Sequence, residues 1–215
     1  MCNLFSVQVG ADEVARHFGI TGTIDLAAPP ETIRGGDGLV VRETRERRVL
    51  QSLGWGFPRQ TRGMRDRGDP PTRVNLTADL TNPMWSEVAQ DPRYRCLIPL
   101  TRFGEPDGPK GKMTRTWYRV SDEPLFAWAG FARNTEAFGP VFSGMTTDSN
   151  EAVAPLNPRM PVLLRPSDYE RWLHGTIQDV IAFQFRKIPA ERLLADKTDE
   201  LWRGGAVRTV EPALL

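Results

Sequence analysis

Between Tyr94 and Thr147 the chain carries four strand-like runs in succession: YRCLIPLTRF, TWYRV, LFAWAGFA and PVFSGMTT. Each is rich in β-branched and aromatic residues and is bounded by turn signals. Such short connections make sequential strands antiparallel neighbours. Gly104-Glu105-Pro106 reads as a turn ending the first run, and DGPKGK as the tip of a hairpin. Upstream, LVVRET and RVLQSLGWGF alternate well enough to supply two further strands.

Helical signals are fewer. ADEVARHFG (11–19) places apolar residues at helical spacing and stops at a glycine. RPSDYERWLHG reads as a second helix, with Ser167 as N-cap and Glu170 three residues on, as in a capping box. TIQDVIAFQF reads as a third, short helix. Residues 20–37 read as loop and the tail from Ala190 as mixed and polar. Residues 58–73 contain Pro58, Gly63, Gly68, Pro70 and Pro71 and read as a long exposed loop, a class that tends to be functional or disordered. No repeat or linker divides the chain. With 215 residues, 40% of them hydrophobic, it can bury one sizeable core. The expectation is a single domain over residues 1–215 of the α+β class, β-rich with a mostly antiparallel sheet.

Composition removes several functions. No apolar run reaches the length of a membrane span, and MCNLFSVQVGADEV lacks the basic start and apolar run of a secretory signal. A soluble, cytoplasmic protein with no membrane partner is expected. Two cysteines, Cys2 and Cys96, make no disulfide framework, and two histidines, His17 and His174, argue against a zinc site. Neither a metal nor a cofactor is expected. The net charge is +1, but nine arginines against four acids crowd residues 42–73. Charge alone leaves open whether this stretch faces an anion or is simply a solvated arginine-rich strand and loop.

Cys2 is the residue with unusual chemistry. Once Met1 is removed it carries a thiol and an α-amine on adjacent carbons. The amine titrates at roughly 7.7–8.0 and the thiol near ~8.5, so both are partly nucleophilic at neutral pH. With an aldehyde the amine forms a Schiff base, and the tethered thiol adds to the same carbon to close a thiazolidine ring. An internal cysteine cannot do this. Position alone is weak evidence, since a small buried residue would also suit it.

Several short motifs, in order, resemble those of the SOS-response-associated peptidase (SRAP) family over residues 2–175. Met1-Cys2-Asn3-Leu4-Phe5 resembles its MCGRF opening and Trp55-Gly56-Phe57-Pro58 its WGLxP. Asn75-Leu76-Thr77-Ala78-Asp79 stands where that family has NARxE. Arg95-Cys96-Leu97-Ile98-Pro99 with Phe103-Gly104-Glu105 resembles RCLIPxxGFYEW. Thr146-Thr147-Asp148-Ser149-Asn150 resembles TTxAN, and Arg159-Met160-Pro161 the end of HxRMP. The resemblance implies a barrel-like sheet with a few peripheral helices. It also implies recognition of abasic sites in single-stranded DNA, with Cys2 joined to the ring-opened sugar as a thiazolidine that shields the lesion. Cys2 would be the nucleophile, Asn75 a hydrogen-bonding group near it and the DNA, and Glu105 the general acid/base. Asn75, Thr77, Thr146 and Arg159 would face DNA. The protein would act as a monomer, nucleoid-associated when bound to DNA.

The chain also departs from the family pattern. The histidine of HxRMP is Asn157, which hydrogen-bonds but exchanges no proton near neutral pH. The arginines of NARxE and MCGRF are Thr77 and Leu4, and the tryptophan after Glu105 is Pro106. Arg59, Arg62, Arg65, Arg67 and Arg73 of the 58–73 loop are placed to grip phosphate in the stead of those two arginines. Two alternatives stay open: a single-stranded-DNA binder that has lost the crosslinking chemistry, and a thiol peptidase or autopeptidase.

Overall fold

A computed structural model of the chain describes residues 3–22 and 24–202. Cys2, the residue singled out for chemistry, lies outside the described residues. In chain order come β1 (Leu4–Ser6), α1 (Ala11–His17), β2 (Thr32–Ile33), β3 (Asp37–Glu43), β4 (Arg48–Trp55) and β5 (Phe57–Arg59). Then follow α2 (Arg62–Asp66), β6 (Thr72–Val74), β7 (Leu76–Thr77) and α3 (Pro83–Gln90). The run of strands continues with β8 (Arg95–Leu100), β9 (Arg102–Asp107), β10 (Thr114–Val120), β11 (Phe126–Thr135), β12 (Gly139–Asp148), β13 (Arg159–Pro161) and β14 (Leu163–Leu164). Two helices, α4 (Tyr169–His174) and α5 (Ile177–Phe185), and the strand β15 (Leu193–Leu201) complete the order.

The pairings β12-β4-β3-β8-β11 close on themselves, because β11 also pairs with β12. The result is a five-stranded barrel, antiparallel except where β12 runs parallel to β4. A second sheet, in the order β15-β10-β9-β1-β2, lays β1 beside it. The α+β, β-rich, barrel-like expectation therefore holds.

Aromatic rings fill the barrel because alternate residues of each strand point inward. Phe5, Trp55 and Trp128 meet edge to face at centroid distances of 5.2–6.0 Å, and Phe142 stacks on Trp55 at 6.0 Å. Both indole N–H groups donate to backbone, Trp55 to the Asn75 carbonyl at 2.8 Å and Trp128 to that of Met145 at 2.6 Å. Buried donors left unpaired would cost about 1–3 kcal/mol each. The close fit of Trp128 demands glycine at 144, where a Cβ would sit 2.1 Å from the indole. Outside the barrel, the buried Arg95 guanidinium donates to the carbonyls of Ala89, Trp172 and Gly175, holding α3 and α4 to the wall.

Four local expectations are corrected. Gly104-Glu105-Pro106 is no turn but the middle of β9, with Leu4 opposite Gly104 and Thr116 opposite Glu105. Pro106 pairs with Arg115 of β10, and no described residue of β1 lies opposite it. The chain reverses at the expected DGPKGK tip, where Gly108 and Gly111 hold φ of +96° and +90°. Residues 58–73 are exposed as expected, yet ordered: β5 pairs with β6 around α2, which Thr61 caps by accepting the Met64 N–H. Ser167 does not cap a helix, because Pro166 starts a 3-10 turn and α4 begins only at Tyr169. Glu170 binds Arg48 rather than completing a capping box. The polar tail from Ala190 contains β15, a strand paired only to β10 among the described residues.

Gly144→Ala should lower the melting temperature by several degrees, reflecting about 1–3 kcal/mol of overpacking against Trp128. Thermal denaturation followed by circular dichroism measures this. A melting point unchanged from wild type would contradict the described packing.

Candidate functional site

Asn75 sits between β6 and β7 with its backbone fixed on both sides. Its carbonyl accepts the Trp55 indole N–H and the Gly144 amide. The barrel core thus sets the position of this residue, and its side-chain amide donates to Asn3 Oδ1 at 3.2 Å. Asn3 precedes β1, and Leu4 pairs with Gly104, so continuing that register by one residue sets Asn3 opposite Glu105. Asn3, Asn75 and Glu105 therefore gather where β1 begins.

Glu105 is fully buried. Its Oε2 accepts from Asn157 Nδ2 at 2.8 Å, while Oε1 has no partner among the described residues. Burial pushes the carboxyl up to about 7, against the downward pull of the Asn157 hydrogen bond. A carboxyl poised there can take and give protons at neutral pH. Asn157 arrives on the Asn150–Arg159 turn. Its Oδ1 accepts the Arg159 N–H at 3.1 Å, so the amide is locked with its donor toward Glu105. The turn is held by Asn150, which donates to the Ile188 carbonyl at 2.9 Å, and by Tyr118, whose hydroxyl donates to that of Ala152 at 3.2 Å. Burial and the nearby carboxylates of Glu105 and Asp107 raise the Tyr118 phenol to about 12.

The structure thus brings Asn75, Glu105 and Asn157 to one region. It also adds Asn3 and Tyr118, which the sequence reading missed. Asn3 offered only its place beside Cys2 as a signal, and Tyr118 offered none. Thr77 and Thr146 are buried: the Thr77 hydroxyl meets Ser143 at 3.0 Å, and that of Thr146 donates to the Thr77 carbonyl. Arg159 is the group of this set that reaches the surface. It pairs with Asp148 at 2.6 Å and donates to the carbonyls of Thr146 and Ala78.

Arg59, Arg62, Arg65 and Arg67 are exposed on the β5–α2–β6 excursion. Arg67 is tied to Asp69 at 2.7 Å and Arg62 lies 3.9 Å from Asp66. Arg73 turns back, its guanidinium 4.0 Å above the Phe138 ring and donating to the Gly56 carbonyl. Gly56 has φ +131°, and a Cβ there would meet Arg73 at 2.8 Å, so the WGFP glycine is what lets this arginine lie flat.

Neither histidine approaches the Asn157 position. His17 pairs with Tyr169 at 3.2 Å, and His174 with Glu43 at 2.8 Å. Glu43, Glu170 and His174 could together hold a cation. However, the Arg48 guanidinium already bridges Glu43 and Glu170 at 2.7 and 2.6 Å, which makes the group an ion-pair network. Cys96 is fully buried and its thiol is pushed far up by desolvation, so it is a packing residue, not a nucleophile. No described helix is long and apolar enough to cross a membrane.

The model of a family described as "SOS response associated peptidase (SRAP)" matches residues 1–198. Three solved structures share the fold. A protein from Bacteroides thetaiotaomicron is 21% identical, with a TM-score of 0.73 over 91% of each chain. One from Bordetella bronchiseptica is 18% identical, with a TM-score of 0.73 over 92% of this chain and 99% of that one. A phage-related protein from the same organism is 14% identical, with a TM-score of 0.66 over 92% and 94%. None of the curated proteins compared with the chain matches it.

The raised Glu105 carboxyl has a consequence for stability. The folded state retains its proton above the ordinary value of 4.5, whereas the unfolded chain releases it. Stability from this group is therefore complete below about pH 4.5 and is lost as pH rises to about 7, by about 3 kcal/mol in all. Urea titrations across that window should show the decline in wild type and a flatter profile in Glu105→Gln. Parallel profiles would show that Glu105 is not held protonated.

Proposed function

Because the chain belongs to the SOS response associated peptidase (SRAP) family, we propose that it captures abasic sites in single-stranded DNA as a covalent adduct of Cys2. Membership itself associates the chain with the response to DNA damage. The finer reading rests on one observation: the buried Glu105 carboxyl, whose Oε1 has no partner among the described residues, lies beside the strand that begins two residues after Cys2.

The chemistry follows from those groups. Removal of Met1 frees the α-amine, which adds to the aldehyde of the ring-opened sugar. Glu105 as carboxylate takes the proton from nitrogen. As carboxylic acid it gives one to the hydroxyl that leaves as water. The thiol then adds across the resulting C=N bond: sulfur bonds to carbon and the thiol proton ends on nitrogen. One water is lost overall. Asn75, fixed by the Trp55 indole, holds Asn3 and so orients the chain entering the site. Asn157 can position Glu105 and favour its anion but cannot relay a proton. The arginines of the β5–α2–β6 excursion supply a path for phosphates.

That asparagine also favours a second reading, a single-stranded-DNA binder without crosslinking. One experiment separates the two. Met1-processed protein is mixed with an abasic single-stranded oligonucleotide and run on a denaturing gel. The covalent reading predicts a shifted band that is absent in Cys2→Ala and forms ~100- to 10,000-fold more slowly in Glu105→Gln. Salt-sensitive binding without a covalent band would support the second reading instead. Asn157→His should speed adduct formation or its reversal, and identical time courses would show that the absent histidine has no bearing on rate.

A further inference from the structure

Phe185 is 76% exposed, the most exposed large apolar side chain among the described residues. It is the last residue of α5, directly after Phe183 and Gln184, which are buried. The Gln184 amide donates to the Ala78 carbonyl at 3.0 Å, fixing the end of the helix over the chain that leaves β7. The ring therefore stands out from an anchored helix end. It lines a groove of about 190 Å³ with Ala78, Asp79, Asp148, Arg159 and Lys187.

The groove is linked to the Glu105 site through one side chain. The backbone N–H of Arg159 donates to Asn157 Oδ1, and the amide of that same asparagine donates to Glu105. The guanidinium of Arg159 forms part of the groove wall. A strand with one nucleotide at the Glu105 site and its backbone near Arg159 can extend a flanking base toward Phe185.

The lining offers a face for a base beside cations for the backbone. Phe185 offers a flat π-face in water, on which any nucleobase can stack. Asp148 is neutralised by its ion pair with Arg159, and the exposed Asp79, which accepts from Thr81, keeps acceptor capacity that suits the exocyclic amines of bases. Lys187, which donates to the Ser149 carbonyl at 3.1 Å, adds a positive charge for the backbone.

We propose that Phe185 is a stacking platform for the unpaired base next to the nucleotide held at Glu105. This subsite rests on the single-stranded-DNA reading above. Fluorescence anisotropy with a labelled single-stranded oligonucleotide tests it, using the full chain. Phe185→Ala should weaken binding about 5- to 150-fold while leaving the dependence of affinity on salt unchanged, because the ring touches no phosphate. Lys187→Ala should flatten that dependence. In Phe185→Trp, DNA should quench the new indole. Equal affinity of wild type and Phe185→Ala would overturn the subsite while leaving the DNA reading in place. A loss accompanied by a changed salt slope would overturn stacking as the cause. No binding by wild type would overturn the DNA reading and the subsite with it.

Discussion

The contact between the Trp55 indole and the Asn75 carbonyl joins the interior of the barrel to the candidate site. Trp55 is fixed by Phe5, Trp128 and Phe142, so its N–H has one direction in which to point. That direction sets the backbone of Asn75, whose amide in turn holds Asn3. The site is therefore built on the aromatic core of the barrel. Displacing Asn75 would unpair a buried indole donor.

Glu105 stands in the opposite relation to stability. A carboxyl removed from water, with only one oxygen satisfied among the described residues, is a local cost, and the chain bears it in the middle of a strand. Apolar packing alone would favour another residue there. The arrangement around it is specific: Asn157 is locked by the Arg159 amide, and the turn that carries it is clamped by Tyr118 and Asn150. Destabilised, well-held ionisable groups of this kind are typical of sites that do chemistry.

β8, β10, β11 and β12 were legible because their apolar and β-branched content is dense, but β9 was not separated from β8, since the break at Thr101 carries no glycine or proline. Those two turn markers misled at Gly104-Glu105-Pro106. There β1 and β10 on either side override the local preference, which no short window of sequence can register. β15 was invisible because an edge strand can be mostly exposed: only Leu193 is buried, and the charged middle of LLADKTDEL shows no alternation. α3 did carry a signal, the N-cap and first-turn pair Asn82-Pro83, though its flanks resemble loop. The pairing of Glu105 with Asn157 spans 52 residues and could be anticipated only through family motifs, not from local pattern. Thr77 and Thr146 show the converse: their motif positions suggested DNA contact, while their burial gives them the task of bracing Arg159.

The central claim concerns a covalent bond formed by a free aminothiol assisted by a buried carboxyl. Intact-mass spectrometry of Met1-processed protein after incubation with an abasic single-stranded oligonucleotide reads that bond directly. The account predicts a species with the summed mass of protein and DNA less one water, with the added mass localised to the N-terminal peptide. Protein recovered at its own mass, although it binds the DNA, would contradict it.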